Sequence, residues 1–150
     1  MSGMSRRKGA AFEREVAHLI RDHMGFDAKR NLMQTAEGGH DLLGVPGWAI
    51  ECKRYAKITP ALLQSFWVQT VQQARRARLD NNLKRCRPVL ITKADRQPVQ
   101  VHIWWMGPAM DAFGDEDFRG VATISFEQWC SVVRETLQED CFRYSNRTRR

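Results

Sequence analysis

Three segments carry the signals of helices: residues 9–24, residues 59–78 and a segment that begins at Ser125. In the first, apolar residues recur three or four positions apart, and Gly25 follows as a predicted end. The second opens with Thr59 and Pro60, an N-cap residue and a first-position proline. The third opens with Ser125 and Gln128, which have the spacing of a capping box. Each segment is therefore predicted to be helical.

Between these helices, short apolar runs and alternating positions predict strands at residues 41–45, 48–53, 88–92 and 99–105, with a further short one at 121–124. Pro46 and Gly47 join the first two, which favours a β-hairpin. In the strand at 99–105, alternation predicts one buried face. Residues 27–39 and 111–120 are predicted loops. The order of elements predicts an α/β fold, a mixed sheet flanked by helices.

The chain has 150 residues, which predicts one domain, over residues 1–142, followed by a flexible basic tail at 143–150. Lys and Arg outnumber Asp and Glu by 24 to 17, and this excess favours a polyanionic partner. The four cysteines lack the spacing of a zinc site, and we expect reduced thiols. No secretory signal or apolar stretch of membrane-spanning length stands out. We therefore expect a cytoplasmic protein without membrane attachment.

Two carboxylates and a lysine stand on the predicted hairpin. Alternation places Glu51 and Lys53 on one face of their strand, opposite Ile50 and Cys52. A three-residue loop would set Asp41 against Glu51, whereas a two-residue loop would set it against Cys52. Paired carboxylate oxygens suit Mg²⁺, with Mn²⁺ as a substitute. An acid and a lysine on one strand face are, however, often a solvated pair.

Glu13 is an unusual acid in the first helix. On a helical wheel it falls inside the arc of apolar residues, whereas Glu15 lies on the polar side. A carboxylate at the edge of a core-facing stripe requires a cation, a metal ion or strong hydrogen-bond donors. An ion pair with an arginine would satisfy it as well as a metal ion would.

The combination of these segments resembles the PD-(D/E)XK nuclease superfamily. Its members build their site from a core hairpin, with Asp on one strand and Glu and Lys on the next, as in GGHD and WAIECK here. The segment RKGAAFERE also resembles the first helix of archaeal-type Holliday junction resolvases and their phage relatives. The resemblance covers residues 7–103, but His40 replaces the name-giving proline and the preceding loop lacks the serine of the archaeal enzymes.

The resemblance implies a restriction-endonuclease-like fold and a set of site residues. Glu13, Asp41 and Glu51 would be the metal-site carboxylates, and Lys53 the catalytic lysine. Gln69, on the helix after the strand, would reach back to the site, with Gln73 as second candidate and a structural hydrogen bond as the alternative. Leu62, Phe66, Gln69 and Gln73 are predicted to share one helix face.

Basic residues cluster around these segments and are candidates for phosphate contacts, which would weaken with salt. The first group, with His40 as a further candidate, consists of Arg6, Arg7, Lys8, Arg30, Arg54 and Lys57. A second, less favoured group consists of Arg75, Arg76, Arg78, Lys84, Arg85 and Arg87. Either group could be ordinary solvated surface, and His40 an ordinary loop histidine. Three tryptophans, Trp67, Trp104 and Trp105, are expected in the core or at a subunit interface, with base stacking as the alternative.

Together these features lead us to expect a Mg²⁺-dependent, structure-selective DNA endonuclease. The resemblance favours a Holliday junction resolvase acting on four-way junctions as a homodimer, because symmetric cutting needs two sites. No nucleotide cofactor is expected. The alternatives are a restriction or repair nuclease of the same superfamily, and a basic DNA-binding protein that keeps the fold without the activity.

Overall fold

The structure is a computed structural model that describes residues 3–32, 40–80, 86–105 and 118–147, and the side chains within 7–32, 40–77, 86–105 and 119–138. Its helices are α1 (Gly3–Met24), α2 (Pro60–Asp80) and α3 (Phe126–Arg147). Its strands are β1 (Lys29–Arg30), β2 (Leu42–Leu43), β3 (Trp48–Tyr55), β4 (Arg87–Ala94), β5 (Gln100–Trp104) and β6 (Val121–Ser125). A short 3-10 turn, Phe118–Gly120, precedes β6.

The six strands form one mixed sheet in the order β1-β2-β3-β4-β5-β6. β3 and β4 are parallel and are connected through α2, whereas every other neighbouring pair is antiparallel. This arrangement confirms the predicted α/β class and the hairpin of β2 and β3. A parallel pair requires a crossover connection, and the length of α2 provides it.

Helices cover both faces of the sheet. On one face, Phe12 and Val16 of α1 and Trp129 of α3 pack in one cluster with Ile50 and Ile91. On the other face, Trp67 of α2 packs against Leu90. Central strands therefore need apolar residues on both faces, which is why β3 begins with the apolar residues WAI and β4 contains the apolar run PVLI.

Several elements differ from the predictions made from the sequence. α1 begins at Gly3 rather than Gly9, since residues 3–8 contain nothing that stops a helix. β1 lies within the predicted loop 27–39, because two polar residues pair through their backbone without an apolar signal. His102 of β5 is 1% exposed, so both faces of that strand are buried. α3 continues to Arg147, into the predicted tail, because no glycine or proline interrupts it.

The buried face of α2 also differs from the prediction. Phe66, Trp67, Thr70, Val71 and Ala74 face the sheet, whereas Gln69 is exposed. The amides thus lie off the buried stripe, and the small residues Thr70 and Ala74 allow close approach to the sheet. Most of the acidic segment at 111–120 falls outside the described residues. No helix in the part of the chain that the structure describes has the length and hydropathy needed to cross a membrane.

Candidate active site

The β2–β3 hairpin brings the predicted carboxylates together. Leu42 pairs with Ile50, and the backbone N–H of Asp41 donates to the carbonyl of Ile50 at 2.8 Å. This is the register of the three-residue loop, and it sets Asp41 beside Glu51 as that option predicts. Gly44 sits in the bend with φ of 110°, where an added Cβ would lie 2.7 Å from the carbonyl oxygen of Asp27.

Asp41 and Glu51 are buried, with 6% and 1% of their surfaces exposed. The backbone N–H of Cys52 donates to Oδ2 of Asp41 at 2.7 Å, which fixes the orientation of that carboxylate. Nζ of Lys53 lies 2.7 Å from Oε1 of Glu51. The two acids and the lysine therefore form a contiguous, largely dehydrated cluster, which excludes the solvated-pair alternative for Glu51 and Lys53.

The electrostatics of this cluster disfavour the charged form of Glu51. Burial and the neighbouring charge of Asp41 raise the pKa of Glu51 to about 7, although Lys53 opposes the shift. For Lys53, burial lowers the pKa, but the Glu51 carboxylate more than offsets this and the pKa is raised. Lys53 therefore stays charged. Its single positive charge only partly compensates the two neighbouring carboxylates, Asp41 and Glu51. A divalent cation would stabilise both in their charged form.

Two aromatic residues border the lysine. The ammonium of Lys53 lies 5.5 Å from the ring centroid of Phe66 on α2, within cation–π range. The rings of Tyr55 and Phe66 are 5.0 Å apart between centroids and tilted by 40°. Sequence reasoning missed both residues as part of the site. The alternation that selects Glu51 and Lys53 continues to Tyr55, and this signal could have found it.

Glu13 is paired with an arginine in this structure. Its Oε2 accepts a hydrogen bond from Nε of Arg30 at 2.5 Å. This half-buried acid is therefore paired with an arginine, which is one of the two partners that its sequence position allowed. α1 packs on the face of the sheet that carries Ile50 and Cys52, opposite the face of Glu51. In the described part of the chain, no three His, Cys, Asp or Glu residues are close enough to hold one metal ion together. The role of Glu13 as a metal ligand stays a prediction.

The predicted DNA-contacting residues differ in their availability. Arg7, Lys8 and Lys57 are exposed, and the side chain of Arg6 lies outside the described residues. Arg30 is engaged with Glu13.

Three other candidate residues near the site, Arg54, His40 and Gln69, differ in their burial and their partners. Arg54 pairs with Asp95 at 2.8 Å. Burial lowers the pKa of His40, which favours its neutral form near pH 7 and makes it a weaker phosphate contact. Gln69 is exposed on α2, where the buried-face argument for it does not hold, and its part in the site stays a prediction.

In the second basic group, Arg75 and Arg76 are exposed. The guanidinium of Arg87 instead lies over the ring of Trp48, with 5.7 Å between them, so this arginine serves packing. The side chains at positions 78, 84 and 85 lie outside the described residues.

Comparison with known proteins identifies the class of this fold and site. Residues 4–138 match the model of a family described as a phage putative PDDEXK endonuclease. The match spans most of the chain, which therefore belongs to that family and to the PD-(D/E)XK nucleases.

Among solved structures, a similar one is the 1.6 Å structure of Hjc from Archaeoglobus fulgidus, a Holliday junction resolvase from an archaeal hyperthermophile. The two chains are 19% identical, with a TM-score of 0.44 over 63% of this chain and 70% of that one. A search of curated proteins gives no match.

Proposed function

We propose that this protein hydrolyses phosphodiester bonds in DNA with a divalent cation at Asp41 and Glu51 and with Lys53 as the catalytic lysine. The observation that carries the proposal is the buried pair of carboxylates, one oriented by a backbone N–H and the other joined to a lysine. Membership in a family of endonucleases supports the same reaction.

The donor set fits a hard divalent cation, since both candidate ligands are carboxylate oxygens and their crowding raises the pKa of Glu51. When bound, such an ion polarises the phosphate and lowers the pKa of an attacking water. The Cys52 N–H keeps Asp41 aimed at the site without a further side chain. Lys53, held at Glu51, would stabilise the additional negative charge of the phosphorane and orient the nucleophile.

Mg²⁺ is the proposed physiological ion, because few protein ligands and several retained waters are typical of its sites, and Mn²⁺ would substitute. Glu13 would join the site as a third carboxylate if Arg30 released it. We further propose branched DNA, such as a four-way junction, as the substrate and a homodimer as the active form. The similarity of RKGAAFERE to resolvase helices supports these two points, and host cytoplasm would be the site of action for a phage protein.

The test is cleavage of labelled DNA by wild type and Asp41→Asn, with Mg²⁺, Mn²⁺ or EDTA, on a four-way junction, linear duplex and single strand. We expect metal-dependent cleavage that Asp41→Asn lowers at least about a hundredfold while binding persists. Asp22→Asn is the matched control, because Asp22 is exposed on α1.

Paired symmetric nicks on the junction alone would support a resolvase. Metal-dependent cutting of linear DNA would keep the proposed chemistry and refute the junction preference. Binding without cleavage under either metal ion would refute the nuclease proposal in favour of a DNA-binding protein that keeps only the fold.

A further inference from the structure

Three side chains project in succession from one face at the end of β3. Glu51 is buried, Lys53 is half-buried, and Tyr55 is 40% exposed. Because alternate residues of a strand share a face, these groups form a line from the carboxylate pair to solvent. Tyr55 is therefore the outermost member of the line that begins at the carboxylates.

The ring of Tyr55 is supported from behind. It leans on Phe66, whose own ring is 6% exposed and lies beneath the ammonium of Lys53. Tyr55 and the Lys53 ammonium both lie against this one ring, so the two side chains are neighbours. A supported aromatic ring loses little conformational freedom when it binds a ligand, since a tyrosine has only two side-chain torsions to restrict.

The chemistry of such a ring selects one part of a nucleic acid. Lysine and arginine contact phosphates, which every DNA form presents alike. An aromatic ring stacks on the face of a nucleobase, and in a continuous duplex those faces are covered by neighbouring base pairs. An exposed ring beside the catalytic lysine thus favours a base with an uncovered face, such as an unpaired base, over the stacked bases of a continuous duplex.

We propose that Tyr55 stacks on an unpaired nucleobase next to the phosphodiester bond held at Asp41 and Glu51, so that the enzyme prefers DNA with an unpaired base at the cleavage point. This inference rests on the proposed nuclease chemistry, not on the preference for a four-way junction, and it adds a feature of the DNA next to the cut. Tyr55 acts here as a substrate-binding residue, and Phe66 as the residue that positions it.

The test compares two labelled duplexes of one sequence, one fully paired and one with a single-stranded flap. The quantity measured is the ratio of their cleavage rate constants in Mg²⁺. We expect a ratio well above one for wild type, a roughly tenfold fall in Tyr55→Leu, and a ratio within about twofold of wild type in Tyr55→Phe. Leucine keeps an apolar contact with Phe66, and circular dichroism melting verifies that each variant folds.

Trp105→Ala is the matched control. Trp105 is 58% exposed and follows β5, whose end lies beside the start of β4, whereas Tyr55 pairs with Ala94 at the end of β4. We expect its ratio to equal that of wild type. An exposed aromatic residue at the opposite end of the sheet thus controls for general effects of losing surface apolar area.

Several outcomes would overturn the inference. They are a wild-type ratio near one, a ratio that Tyr55→Leu leaves unchanged, and an equal loss on both substrates, which would indicate a structural role. Each of these leaves the proposed nuclease function standing, because the wild type still cuts DNA. If the wild type cut neither duplex but cut the four-way junction, this inference would fail and the proposed function would stand. If it cut no DNA in any metal ion, both would fail.

Discussion

Lowering the pH should destabilise the protein through one buried histidine. His102 lies between two hydroxyls, with Nε2 2.9 Å from Oγ1 of Thr92 and Nδ1 2.8 Å from Oγ1 of Thr123. Its neutral ring can satisfy both partners, and burial lowers its pKa from 6.5 to about 4. Because the folded pKa is lower than the unfolded one, the resulting stability is fully present above pH 6.5 and is lost as the pH falls toward 4.

The size of the effect follows from this shift. A difference between 6.5 and about 4 corresponds to roughly 3 kcal/mol at full protonation, of which about 2 kcal/mol is lost between pH 8 and pH 5. Urea unfolding at pH 8, 6.5 and 5 measures it. Carboxylates also titrate in this range, so the comparison is between wild type and His102→Gln, whose amide retains hydrogen-bonding capacity without the charge.

We expect His102→Gln to be less stable than wild type at pH 8 and to lose about 2 kcal/mol less on going to pH 5. His18→Gln is the control, since His18 is exposed on α1 and should leave the pH dependence of wild type unchanged. Equal slopes for wild type and His102→Gln would refute the reasoning. They would mean that the surroundings of His102 admit enough water to solvate the charged ring.

Three further predictions concern the hairpin and α1. Gly44→Ala should destabilise the fold by about 2 kcal/mol or more, because φ is 110° and the new Cβ would meet the Asp27 carbonyl oxygen at 2.7 Å. Gly9→Ala, a helical position with no atom within 4 Å of the new Cβ, should instead raise stability by about 0.5–1 kcal/mol, and thermal melting compares the two. A double-mutant cycle of Glu13→Gln and Arg30→Ala should give a coupling of about 1 kcal/mol in metal-free buffer, and a coupling near zero would show that their ion pair is not formed in solution.

Sequence patterns predicted the central elements well because those elements carry strong local signals. The alternation in WAIECK defined both faces of β3, and the loop-length argument placed Asp41 beside Glu51 under one of two options. The predictions that were wrong concern features that depend on tertiary contacts. β1 has no apolar pattern because it pairs through its backbone, and the exposure of Gln69 follows from how α2 rotates onto the sheet.

The candidate site shows the same limit. Glu13 was identified as an acid that needs a partner, but two partners were equally consistent with its sequence position. Only the packing of α1 against the β1 edge shows that Arg30 meets it in this structure. Tyr55 was missed although the alternation of β3 reaches it, because an exposed aromatic residue at a strand end does not by itself indicate function. Its proposed role depends on Phe66, which lies on a different element, α2.

The tether between the Cys52 amide and the Asp41 carboxylate has a consequence for how this site can evolve. Both acids and the lysine lie within one hairpin, and a main-chain group supplies the orienting bond. Nearly any residue at position 52 that fits the core preserves that bond, so the residue type at this position can change in evolution without loss of the bond. The exposed basic residues can likewise diverge while the two carboxylates and the lysine are inherited together as a single short segment.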